Sequence, residues 1–137
     1  AVQEQLDGKT AEWFEKVSDE QYGIGETKAA PSPAKNSRAQ QMYGEIAPKF
    51  AELTDNVLYA DVWKRPGLSK RDRSLITVSA LIAMNRPDQL RSHIGLARQN
   101  GLTTEELYEA ITHLAFYSGW PSSVTAATIA KDVLVPK

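Results

Sequence analysis

The chain has 137 residues, 42% of them hydrophobic, and a formal net charge of -1 from 16 basic and 17 acidic side chains; that is enough for one domain with a real core and too little for two ordinary ones. The absence of cysteine excludes disulfides, thiolate metal sites and cysteine nucleophiles at once. With no basic surplus, no basic stripe interleaved with aromatics and no apolar run of the ~18–20 residues a membrane span needs, neither nucleic acid nor a membrane is an expected partner.

Residues 1–22 carry Glu4, Asp7, Glu12, Glu15, Asp19 and Glu20 against Lys9 and Lys16, while Trp13, Phe14 and Val17 form a short apolar stripe at helical spacing. The pattern predicts an amphipathic helix that needs a surface to dock on. A neighbouring subunit is one such surface; a frayed tail is the alternative. Residues 23–36, GIGETKAAPSPAKN, contain Gly23, Gly25, Pro31 and Pro33 and read as an extended linker. Arm and linker thus take residues 1–36, and a helical domain takes residues 37–137. Ala1 is not Met and no leader pattern follows it, so the expected compartment is the cytoplasm, with export after processing left open.

From Ser37 the pattern turns helical, with Met42, Ile46, Phe50 and Leu53 at i, i+4, i+8 and i+11, and Pro48 is expected to kink or split that helix. The segment TDNVLYADVWK follows, with Thr54 or Asp55 as its expected N-cap, and RPGL makes a turn at Arg65–Leu68. Ser69, with Asp72 three residues on, opens a helix to about Asn85 that is apolar nearly all round after Arg73, the pattern of a buried central helix. Pro87 starts the next helix, whose face carries Leu90, Ile94 and Ala97 and which Gly101 stops. Thr103 with Glu106 is a capping box for a helix ending at Gly119, and Pro121 begins a last helix to about Leu134. Nothing alternates as a strand would, and nothing repeats. Short loops between helices predict antiparallel neighbours: an all-α, single-domain bundle with an N-terminal arm.

Two histidines are candidates for chemistry. His93 lies beside Leu90, Ile94 and Ala97 on the inward side of its helix. It reads either as a hydrogen-bonded core residue or as the proton carrier that an imidazole suits best near neutral pH. His113, one turn before Tyr117, either lines the same cavity or sits half exposed between helices. Arg73 stands in the first turn of the most apolar helix, where the helix dipole does nothing for a cation, so it needs an anionic partner. Asp61, Glu45 and a ligand carboxylate are the candidates. Arg65, Lys70 and Arg71 read as solvated. Metal binding has little support: the histidines are twenty residues apart, with no HExxH and no Glu-x-x-His pair. No phosphate loop or GxSxG elbow is present either.

RPGLS followed by RDRSL, then HIGLARQNGLTTEEL, then YSGWPSSVTAA give the stretch from Val62 to Ala127 a specific order and spacing. In these the chain resembles the carboxymuconolactone decarboxylase family, whose fold is the alkylhydroperoxidase D-like helical bundle, and the preceding helix extends the match to Ser37. The peroxidase branch of that family places a CxxC pair one helical turn before the histidine. Counted back from His93, those positions here are Arg86 and Gln89, and the branch's glutamate corresponds to Ser74. The departures remove thiol peroxidase chemistry and leave the decarboxylase-like branch or a relative with another activity.

The resemblance implies a carbon–carbon lyase that needs no cofactor and no metal. A 4-carboxymuconolactone decarboxylase releases carbon dioxide from a carbon conjugated through an alkene to a lactone carbonyl. The dienolate left behind is the electron sink. The protein must hold two carboxylates, stabilise an oxyanion and deliver one proton. By resemblance the catalytic residues are His93 and Arg73, and the substrate-binding residues are Arg65, Trp63, Ser74, Tyr117, Trp120 and His113. The partners implied are a small unsaturated lactone or acid and further copies of the chain, as a trimer or hexamer. A non-catalytic member that binds a small ligand or serves assembly is the alternative.

Overall fold

The computed structural model describes residues 37–135. The amphipathic stripe of Trp13, Phe14 and Val17 and the linker after it lie outside the described residues. Among the described residues there are six α-helices and no strand, as the sequence pattern predicts. None of these helices is long and apolar enough to cross a membrane. The chain divides into two compact units between Asn56 and Val57.

In the first unit, α1 (Arg38–Tyr43) and α2 (Pro48–Leu53) pack on each other. Ser37 caps α1: its Oγ accepts the Gln40 N–H at 3.0 Å and donates to Asp55 Oδ2 at 2.6 Å. Pro48 splits the predicted helix and takes the first-turn position of α2, where its missing N–H costs nothing. The chain then runs on as a π-helical turn, Thr54–Tyr59, within which the boundary between the units falls.

One expectation fails in this region. A π-helix begins at Thr54, but neither Thr54 nor Asp55 caps it, because both side chains are already engaged. The Thr54 hydroxyl donates to the Phe50 carbonyl one turn back, and Asp55 holds Ser37. The stripe of Met42, Ile46, Phe50 and Leu53 is exposed, Ile46 at 84%. The break at residues 44–47 interrupts the register that would have kept the stripe on one face. The buried side chains here are Ala39 and Ala51, small enough to let the two short helices approach.

The second unit holds a short 3₁₀ helix (Val62–Lys64), the RPGL turn and four longer helices: α3 (Lys70–Ala83), α4 (Pro87–Gln99), α5 (Thr104–Ser118) and α6 (Trp120–Leu134). Each boundary has a local cause. Ser69 Oγ accepts the Asp72 N–H at 3.0 Å to open α3, and Pro87 sits in the first turn of α4. Thr103 and Glu106 close a full capping box on α5.

Both α3 and α4 end in Schellman motifs. At the end of α4, Gly101 (φ 102°) donates to the Arg98 carbonyl and Leu102 to that of Ala97. At the end of α3, Asn85 takes φ 50° and donates to the Ile82 carbonyl, while Arg86 donates to that of Leu81. That left-handed residue is why α3 stops at Ala83, short of the expected Asn85. Asparagine tolerates the conformation better than most residues.

The helices pack as a closed ring, α3 on α4, α4 on α6, α6 on α5 and α5 on α3. Val78, Ile82, Leu90, Ile94, Leu102, Leu107, Ile111, Ala126 and Ile129 fill the centre. Leu90, Ile94 and Ala97 form the buried face of α4, as predicted. The expectation of a centrally buried α3 needs correction. Its inward line is Ser74, Val78 and Ile82, while Ile76 is 56% exposed. Within this chain a four-helix ring covers α3 on one side only, whatever the apolar character of the other.

Candidate active site

The 3₁₀ segment links the two residues with the clearest chemical potential. Trp63, half buried, stacks on the His93 ring with centroids 6.4 Å apart and planes 26° apart. Two residues further on, the Arg65 carbonyl accepts a 2.9 Å hydrogen bond from Arg73 Nη2. Two residues of chain span about 7 Å at most. One short segment therefore touches the imidazole of α4 and the guanidinium of α3.

Arg73 is half buried, and its Nε is buried without a hydrogen-bond partner among the described residues. Of the carboxylates expected to meet it, Asp61 shares its unit and makes no ion pair with it, and Glu45 belongs to the other unit. A cation half buried beside a carbonyl and lacking a carboxylate among the described residues is a ready site for an anion, since one more charge-assisted bond would offset the cost of its burial.

The remaining predicted residues fall elsewhere. Ser74 is 1% exposed, and its Oγ accepts Asn100 Nδ2 at 2.9 Å. It fastens α3 to the end of α4, and so deep a hydroxyl offers no surface to a substrate. His113 stacks on Tyr117 at 4.7 Å, and Trp120 meets Phe116 edge-on at 5.8 Å. Tyr117 and Trp120 are exposed at 78% and 62%, so these rings form a second aromatic group around the α5–α6 corner. The Arg65 side chain is exposed; its contribution in this structure comes from its backbone carbonyl.

An open groove of 410 Å³ runs between α3 and α5, with Leu75, Leu102, Ala110 and Leu114 among its walls. His113 is the one predicted site residue that lines it. Arg71, expected to be solvated, stands on its rim, paired with both Asp72 and Glu106. The groove is roomy, but its arginine is already neutralised, so it offers an anion less than Arg73 does. The sequence reading missed this pairing because Arg71 and Glu106 are 35 positions apart. It also missed Tyr59, whose ring lies 6.3 Å from Trp63. The spacing of these two aromatics, one turn apart, was the available signal.

Glu106 does three things. It closes the capping box on Thr103, pairs with Arg71 and thereby ties α5 to α3. The Thr103 backbone N–H, with the Arg71 charge and hydrogen bond after it, holds the Glu106 carboxyl below its ordinary value of 4.5. A carboxyl lowered in the folded state stabilises the fold above its unfolded value, and this contribution is lost as pH falls through the folded one. Glu106→Gln should therefore be less stable than the parent at neutral pH, and the gap should narrow below about pH 4. Urea midpoints at pH 7 and pH 3 measure this; an unchanged gap contradicts it.

Residues 48–132 match the family model described as the Carboxymuconolactone decarboxylase family. Over 97 residues the chain is 35% identical to the 4-carboxymuconolactone decarboxylase of Acinetobacter baylyi, covering 71% of this chain and 72% of that relative. Over 83 residues it is 35% identical to nitrosuccinic acid decarboxylase npaB of Metarhizium robertsii, covering 61% of this chain and 58% of that protein.

Proposed function

The chain belongs to the carboxymuconolactone decarboxylase family, and from that premise we propose that it is a cofactor-free carboxy-lyase acting on 4-carboxymuconolactone or a closely similar unsaturated lactone acid. The observation that carries the reading is Arg73: a half-buried cation without a carboxylate partner among the described residues, joined through the 62–65 segment to the ring of His93. The names of both relatives denote the removal of a carboxyl group, and that agrees with a site built to take an anion.

The chemistry follows from the substrate. The carbon–carbon bond to the scissile carboxylate breaks and carbon dioxide leaves. The electron pair moves through the alkene onto the lactone oxygen as a dienolate. A proton added next to the lactone carbonyl then gives the enol-lactone. Arg73 binds a substrate carboxylate through its forked N–H groups and helps to neutralise the developing oxyanion. His93 delivers the proton. No electron leaves the substrate, so the step requires no redox partner. Further copies of the chain, as a trimer or hexamer, would screen the site from water and strengthen each of these contacts.

The test is turnover of 4-carboxymuconolactone by the purified full chain after treatment with a chelator. Release of one carbon dioxide per lactone supports the reading. Binding of the lactone without turnover would instead make the protein a ligand-binding member of its family.

A further inference from the structure

We propose that Trp63, backed by Tyr59, is a positioning residue that fixes the plane of the His93 imidazole, and that binding substrate is not its role. The inference rests on the proton-delivery role given to His93 above and assigns a task to two aromatics around it.

Three rings stand in a row. Tyr59 and Trp63 have centroids 6.3 Å apart at 30°, and Trp63 and His93 are 6.4 Å apart at 26°. Both inclinations are shallow, so at these separations the rings stack with an offset, each overlapping part of the next. Tyr59 ends the π-helical turn and Trp63 sits in the 3₁₀ helix after it. This irregular stretch brings residues four apart into an offset-stacked arrangement. The segment is in turn pinned one step later, where Arg73 donates to the Arg65 carbonyl.

A half-buried histidine on a helix has a broad choice of ring orientation, because its last torsion has no sharp staggered wells. An offset-stacked neighbour narrows that choice. Proton transfer to carbon is demanding in direction, since the donor nitrogen must point at one face of a planar dienolate. The indole therefore does its work by holding the imidazole still. Trp63 reaches this position from 30 residues away in sequence, through the only 3₁₀ helix among the described residues.

The experiment compares the full chain with Trp63→Leu, Trp63→Phe and Tyr59→Leu by steady-state kinetics and by NMR of the His93 ring protons. Trp63→Leu is expected to lower kcat by about 10- to 100-fold with KM nearly unchanged, and Trp63→Phe to restore most of the loss. Tyr59→Leu gives a smaller fall of the same kind. In Trp63→Leu the His93 ring protons should move downfield, because the ring current of the indole face is gone. A raised KM with intact kcat would make Trp63 a wall for substrate and overturn the proposal. Unmoved His93 resonances in a folded Trp63→Leu would overturn it equally. If the parent turns nothing over, the carboxy-lyase reading fails by itself. The ring-proton shift then decides whether Trp63 orders His93.

Discussion

Replacing His93 by alanine is expected to lower kcat on 4-carboxymuconolactone by about 10²- to 10⁴-fold, the range typical of a lost general acid, and to leave the fold standing. The fold survives because Leu90, Ile94 and Ala97 carry the buried face of α4, while His93 itself is only half buried. The fall belongs in kcat, since the proton moves after the lactone is bound, and KM changes little. A melting curve and a circular-dichroism spectrum run beside the kinetics separate loss of chemistry from loss of structure. A folded variant within a few-fold of the parent would remove His93 from the mechanism.

Arg73→Met is the second large effect, and it should show a different signature. Loss of a charge-assisted, two-pronged contact to a desolvated carboxylate costs about 2–5 kcal/mol, which lowers kcat/KM by about 30- to 5,000-fold. Arg73→Lys recovers only part of this, since an ammonium cannot match the fork of a guanidinium. Arg73→Met also loses the hydrogen bond to the Arg65 carbonyl. Its loss costs about 1 kcal/mol of stability and allows the 62–65 segment to drift from His93. Arg73→Met should therefore partly reproduce the Trp63→Leu effect on the His93 ring, and His93→Ala should leave Arg73 in place. An Arg73→Met variant with unchanged kcat/KM would mean that the buried Nε waits for something other than substrate.

Much of the fold was legible because its signals are local. Ser69, Pro87, Gly101, Thr103 and Gly119 each act within one helical turn, and all of them mark boundaries in the structure. Thr54 misled because a threonine that could cap a helix can as easily bond back to a carbonyl one turn earlier, here that of Phe50, and Asp55 misled because its carboxylate is held by Ser37, eighteen positions away. The full burial expected for α3 failed for a different reason. Periodicity tells which residues are apolar, and only the neighbouring helices decide which of them are covered. The outward faces of Ile76 and of the Met42–Phe50 stripe are apolar all the same.

The site was legible in its parts but not in its arrangement. Absent cysteines and the RDRSL and HIGLARQNGL elements directed attention to Arg73 and His93. What joins these two, a stacked indole and a backbone carbonyl from one 3₁₀ segment, spans 30 residues in one case and 8 in the other. Nothing in linear sequence distinguishes Trp63 from Trp120 as the aromatic that meets His93. Ser74 shows the converse: the family resemblance suggested a site residue, and its bond to Asn100 makes it a fastener between helices.

The central claim is that this chain removes a carboxylate by acid–base chemistry with the substrate as its own electron sink. Reaction of chelator-treated full-length protein with 4-carboxymuconolactone in deuterium oxide tests it most directly. The expected result is one carbon dioxide per lactone and one deuterium on the carbon beside the lactone carbonyl, at a rate that collapses in His93→Ala. Lactone recovered unchanged, or carbon dioxide released only after a metal ion is restored, would contradict it.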